Sequence, residues 1–309
     1  MRGHGQVLRG GKLELVGIDV VNSTGSSAVF TEGQVTVTNC NFAHCVTGMN
    51  DVARTFEASI PSGGAALRAL GGAIQARGNE ATMWSTGSSF VSNAAKGAKY
   101  ANYAGAIYAA ATVRIDTTRF DSNYVQGGTE KAAGGALFLE VDRFELTDSE
   151  FISNKAIESS EANGGAIRVK DCGDSSLINE PKPDFCTLKS KECGYQVRAV
   201  TFRSNSAIGG SSRCKGGAIF MGNKGLCVNV TGSVFEANSA EDSGGNTEGG
   251  AFQVADKAIL KVASTRFVGN TAKGASDQAR SYPPPVPVHC ALFVAERSHA
   301  VVHVPGAER

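Results

Sequence analysis

Apolar residues along this chain recur two apart in short segments, separated by stretches rich in Gly, Ser, Ala and Asn. Thr112-Val113-Arg114-Ile115-Asp116 and Arg143-Phe144-Glu145-Leu146-Thr147 are typical. Each alternates apolar with polar side chains, the period of a strand with one buried face, and helical spacing is sustained nowhere. The runs between them, such as Tyr124 to Ala133, read as loops. The pattern predicts an all-β chain.

Two tetrapeptides punctuate it. The first is Gly71-Gly72-Ala73-Ile74, Ala104-Gly105-Ala106-Ile107, Gly134-Gly135-Ala136-Leu137, Gly164-Gly165-Ala166-Ile167, Gly216-Gly217-Ala218-Ile219 and Gly249-Gly250-Ala251-Phe252. The second follows each in turn: Phe90-x-x-Asn93, Phe120-x-x-Asn123, Phe151-x-x-Asn154, Phe202-x-x-Asn205, Phe235-x-x-Asn238 and Phe267-x-x-Asn270. Successive Phe positions lie 30, 31, 51, 33 and 32 residues apart, so one interval carries an insertion of about 20. A unit of about 30 residues with short strands and no helix cannot form an α/β crossover, and its fixed period argues against a sandwich. Coiling into a parallel β-solenoid is the economical solution.

Stacked coils place each residue over its equivalent about 4.8 Å away. A Phe in every coil then forms an interior column, with ring contacts worth about 0.5–1.5 kcal/mol per pair beyond burial. An Asn in every coil forms a second column at a corner, its amide donating and accepting, and Asn tolerates left-handed dihedrals. The Gly pair supplies a bend with close backbone approach. These motif residues are read as structural.

The organisation is one β-helix domain over residues 1–309. Residues 7–70 hold degenerate coils, with Leu13 to Ile18 and Val35 to Phe42 offset by 22 positions. Clear repeats fill 71–275, interrupted by an inserted loop at 171–195. A Pro-rich link, Tyr282 to Pro287, and a partial coil occupy 276–309. The repeat begins and ends without the polar cap that solenoids carry, which points to a fragment of a longer chain.

Composition adds little. There are 38 Gly and one Trp, and the net charge of +1 predicts no attraction to nucleic acid or to an anionic membrane surface. No run reaches the roughly 20 apolar residues of a membrane-spanning helix, and the opening residues lack the apolar core of a signal peptide. None of the eight cysteines forms a C-x-x-C pair, so zinc-ribbon and thioredoxin chemistry have no support. Four of them, Cys172, Cys186, Cys193 and Cys214, fall in or near the insertion, where at least one disulfide in an oxidising compartment is expected. The alternative is buried free thiols in a reducing one.

The six ordered pairs of motifs over residues 71–270 resemble the repeats of the chlamydial polymorphic outer-membrane proteins. That resemblance implies a right-handed, pectin-lyase-like β-helix, display at a cell surface or secretion, and a role in adhesion to a host or cell-surface protein or glycan in which the Gly-Gly-Ala-Ile motif takes part. Ala104 and Phe252 depart from the motif.

Polysaccharide lyases and hydrolases share that fold class, and they need positioned acids and bases in a groove. The strand acids Asp116, Glu145 and Asp148 are scattered, so a non-enzymatic scaffold without a cofactor is the favoured reading, with such an enzyme or a purely structural element as alternatives. His299 and His303 share a strand face but lie about 13 Å apart, too far to ligate one metal ion. Asn22-Ser23-Thr24 and Asn229-Val230-Thr231 are glycosylation sequons. The insertion, with Cys172, Asn179, Pro181, Pro183, Cys186 and Cys193, is the first candidate for partner contact.

Overall fold

A computed structural model of the chain describes residues 5–7, 10–48, 68–97, 101–127, 131–141, 143–158, 160–170, 194–209, 213–222, 227–254, 258–274, 292–294 and 299–303. Among them every regular element is a strand, and no helix is long and apolar enough to cross a membrane. The strands form a 16-stranded, two 8-stranded and one 6-stranded sheet, all by parallel pairing of each coil with the coils before and after it. This is the pairing of a β-solenoid.

One coil shows the path. Lys131–Ala133 lies in the six-stranded sheet, and the chain turns through Gly134-Gly135 into Leu137–Glu140 of the wide sheet. It continues in the same sheet as Phe144–Thr147, turns into Glu150–Ile152 of the phenylalanine sheet, and turns again into Lys155–Ile157 of the fourth sheet. The wide sheet is thus two ladders side by side. They are joined where Ile74–Thr86 and Ile107–Asp116 run through without interruption.

The stretch read as a loop contains two strands, Tyr124–Gln126 and Lys131–Ala133. Each is three residues long with one small inward side chain, Val125 or Ala132. No alternation can show in so short a segment, and pairing with equivalent strands above and below holds it instead of intrinsic propensity.

Left-handed backbone marks the corners. The first residue of each Gly-Gly turn has a φ near +60°, including Ala104 at 59°. Two further corners flank the short Phe strand: Thr117 or Asp148 before it, and Ser122 or Ser153 after it. At the Asn corner the left-handed residue is therefore the one preceding the Asn, not the Asn as the sequence reading supposed. The Asn instead spends its side chain on hydrogen bonds.

Both columns are present. Phe42, Phe90, Phe120, Phe151, Phe202, Phe235 and Phe267 stack with ring centroids 4.6–5.0 Å apart and planes within 13°. Asn123 is representative of its column. Its Oδ1 accepts from Asn93 N and Nδ2, and its Nδ2 donates to Phe90 O and to Asn154 Oδ1, all at 2.9–3.0 Å. The first coils continue the stack, with Leu13 paired to Val35 and Phe42 to Phe90, while Ala28-Val29 lies in register with Ala73-Ile74.

The interior is divided. The main core lies between the wide and phenylalanine sheets, and a second core of Ala132, Ala156, Ala162, Ala207 and Cys214 fills the space between the other two. What separates them is the second glycine of each motif. A Cβ on Gly135 would lie 2.0 Å from Gly165 O and 2.5 Å from Lys155 N, and Gly105, Gly165 and Gly217 are as confined. Glycine is required here for close approach, whereas at the first position it is favoured by the left-handed dihedral, which Ala104 also adopts.

Candidate functional site

The Gly-Gly turn also shapes the outer surface. Ile107 and Ala109 point into the main core, so Tyr108 between them points outward. Tyr108 nevertheless is 2% exposed, in a separate apolar cluster with Tyr103, Ala133 and Phe138. Tyr103 and Phe138 come from different sheets, on either side of the turn, and their rings are 4.4 Å apart. Outer side chains of two sheets can meet only if the sheets fold toward each other on that side. The corner is therefore re-entrant, and it runs along the stack.

Strand register gives its walls. One wall is the column Leu70, Tyr103, Ala133, Asn163, Lys215 and Glu248. The other is Gln75, Tyr108, Phe138, Arg168, Phe220 and Gln253. Beside them Tyr108 Oη donates to Glu140 Oε2 at 2.5 Å, and Lys170 Nζ lies 3.4 Å from Glu140 Oε1. Burial, with the Glu140 carboxylate second, holds the Tyr108 phenol well above its ordinary range. Glu161 pairs with Lys131 at 3.3 Å, and although burial opposes ionisation, hydrogen bonding from Asn163 and the nearby lysines hold its carboxyl below the usual value.

Three side-chain atoms in these walls are buried without a hydrogen-bond partner: Gln75 Nε2, Asn163 Oδ1 and Gln253 Oε1. Their residues are 1%, 3% and 2% exposed. Each such atom costs about 1–3 kcal/mol, and the three are spread along the corner, with Gln75 and Gln253 five rungs apart.

The residues singled out in the sequence fall elsewhere or beneath. Gly71, Gly72, Gly105, Gly134, Gly135, Gly164, Gly165, Gly216, Gly217, Gly249 and Gly250 form the backbone floor of the corner. The Phe and Asn columns are interior, remote from the outer surface. Cys172, Asn179, Pro181, Pro183, Cys186 and Cys193 lie outside the described residues. Asp116 accepts a hydrogen bond from Thr147 Oγ1, and Glu145 is 3.7 Å from Arg114; neither belongs to the corner. Of the four cysteines among which at least one disulfide was expected, Cys172, Cys186 and Cys193 lie outside the described residues, and Cys214 takes no part: it is a free thiol, 0% exposed, its Sγ donating to Glu241 O at 2.9 Å. Its strand position faces the second core, which turns it away from any loop outside. Cys40 and Cys45 are likewise buried and free, whereas Cys227 is disulfide-bonded. Among the described residues no group of three or more His, Cys, Asp or Glu is placed to hold a metal ion.

No protein-family model matches the chain, and neither a curated protein nor a solved structure does. Function must be argued from the corner itself. Its residues do not recur in kind as the tetrapeptides do. The signal lay in the flanks, since the residue before Gly-Gly and the residue after Gly-Gly-Ala-Ile both face outward.

Proposed function

We propose that the chain is a right-handed, pectin-lyase-like β-helix of the polymorphic outer-membrane protein type, displayed at a cell surface or secreted, that works as a non-enzymatic adhesion or ligand-binding scaffold. The observation that supports this reading is the re-entrant corner floored by the repeated Gly-Gly turn, where outer side chains of two sheets meet. The adhesive role implied by the resemblance is assigned to that corner because the Gly-Gly motif forms its floor. The right-handed sense is supported by the general preference of crossovers between parallel strands. A scaffold is favoured over a polysaccharide lyase or hydrolase because the carboxylates of the corner are engaged: Glu140 by Tyr108 and Lys170, Glu161 by Lys131, Glu248 by Gln253.

The test is adhesion of cells and retention of glycans and surface proteins on the immobilised chain, run with lyase and hydrolase assays on uronate polymers. Wild type should bind without turnover, and Phe138→Ala with Gln253→Ala should bind less, while Arg119→Gln on the phenylalanine sheet should not change binding. Turnover of a polymer would replace this reading with the enzymatic one. Binding that survives every corner substitution would remove the corner from it.

A further inference from the structure

A lysine and an asparagine of the corner are stacked directly on one another. Asn163 ends the strand Glu161–Asn163, Lys215 ends the strand Arg213–Lys215, and the two are partners on adjacent rungs of one outer column. The backbones are tied together at that point, Gly164 N donating to Lys215 O at 2.8 Å. Adjacent rungs lie about 4.8 Å apart. The flexible lysine stem is longer than that spacing, so the Lys215 amine can reach the Asn163 amide carbon with no shift of the backbone.

The surroundings favour reaction over solvation. Asn163 is 3% exposed, and the rung before it carries Ala133 of the apolar cluster. Lys215 Nζ stands 5.2 Å from the Phe220 ring centroid. Burial holds that ammonium below the ordinary lysine value, and Arg213 and Arg168 push the same way against Glu248 and Glu161, which raises the share of neutral, nucleophilic amine. Glu161 completes the group. It lies on the same strand face as Asn163, accepts a hydrogen bond from the Asn163 side chain and is kept ionised by it and by Lys131 and Lys215, so it is able to take a proton. Asn163 Oδ1 accepts no hydrogen bond, and attack on its carbonyl carbon breaks none. The competing fate of an Asn-Gly pair is attack of the glycine nitrogen on the asparagine amide to give a succinimide. Here Gly164 N is committed to Lys215 O.

We propose that Lys215 and Asn163 join in an intramolecular isopeptide bond, with Glu161 as the proton carrier. Glu161 takes a proton from the Lys215 ammonium, and the freed amine attacks Asn163 Cγ. The new Nζ–Cγ bond forms and the Cγ–Nδ2 bond breaks as Glu161 gives its proton to Nδ2 and takes the one that Nζ sheds. Ammonia leaves and carries away that last proton as ammonium, so the step needs no oxidant and no co-reactant. The product closes residues 163 to 215 into a ring that contains the insertion at 171–193. A chain cut inside the insertion then stays in one covalent piece. This modification is independent of what the corner binds.

The intact mass of the full chain, reduced and denatured, is the first test: it should fall short of the sequence mass by one ammonia. Trypsin should release a branched peptide joining Ala156–Arg168 to Cys214–Lys224, uncut after Lys215. Lys215→Arg keeps the charge but offers no amine, and it should show the full sequence mass. Glu161→Gln should form the bond about a hundred-fold more slowly. Circular dichroism confirms the fold of both variants, and Arg119→Gln should cross-link as wild type does. After limited proteolysis within the insertion, wild type should run as one band on a reducing, denaturing gel and Lys215→Arg as two. A wild-type mass equal to the sequence mass overturns the proposal. So does loss of ammonia carried by a linear peptide, as a succinimide at Asn163 would give. Either result leaves the scaffold reading standing, since adhesion is measured separately.

Discussion

Removing one rung from the Asn column should cost an amount set by its place in the stack. Asn154→Ala deletes four hydrogen bonds: Asn154 Oδ1 accepts from Asn123 N and Nδ2, and Asn154 Nδ2 donates to Phe120 O and Asn205 Oδ1. At about 1 kcal/mol net for each, with the Asn123 amide left buried and unpaired, the loss should be about 4–6 kcal/mol. Asn270→Ala deletes three: acceptance from Asn238 N and Nδ2, and donation to Phe235 O. Asn270 is 8% exposed where Asn154 is 0%, so water can replace part of what is lost, and about 1–3 kcal/mol is expected. Urea unfolding measures the two losses. Amide exchange localises them: Asn123 should lose protection in the first variant and Asn238 in the second. Equal losses, or losses under about 1 kcal/mol at both sites, would show that the ladder is not what holds the corner.

Three other outcomes follow from named contacts. Ala104→Gly should stabilise by about 1 kcal/mol by relieving a left-handed alanine at φ 59°, whereas Gly135→Ala should destabilise by several kcal/mol because the Gly165 carbonyl cannot move aside; thermal unfolding of the two variants checks both signs. Burial, with Asp242 adding to it, pushes the Cys214 thiol up to about 12, so in the folded chain at pH 8 Cys214 should resist alkylation and react only after denaturation, as mass mapping would show. Tyr108 has a raised phenol, so its contribution to stability is complete below the ordinary value of 10.0 and is lost as pH rises beyond it; the unfolding midpoint should fall more steeply above that pH in wild type than in Tyr108→Phe.

The columns were legible in the sequence because large or polar side chains recur at one interval, and stacking turns recurrence directly into contact. The Ser88, Thr118, Ser149 and Ser233 positions two before each Phe carried the same signal, and hydroxyls there cap the equivalent corner of the preceding coil, as when Ser149 Oγ accepts from Thr118 N at 3.1 Å. Val200 interrupts that regularity and weakens its signal in the sequence. The second core was hidden for a different reason. Alanine at Ala132, Ala156 and Ala162 gives no periodic contrast against loops of similar composition. The corner was least visible of all, since Tyr108, Arg168 and Gln253 share a position but no chemistry, and only register reveals that they share a wall.

The two ladders of the wide sheet meet along a seam, and in most coils the chain breaks there: between Glu140 and Phe144, Lys170 and Tyr195, Met221 and Cys227, Val254 and Ile259. Lengthening the break to more than twenty residues leaves Tyr195 in register with Phe144. Closing a segment of that size instead of one of four residues costs only about 1.5 kcal/mol of chain entropy. Sequence at the seam is therefore nearly free to drift, while the rungs on either side hold the frame. The rod has a built-in grafting line, along which peptides of unrelated length and chemistry could be exchanged coil by coil without retuning the stack.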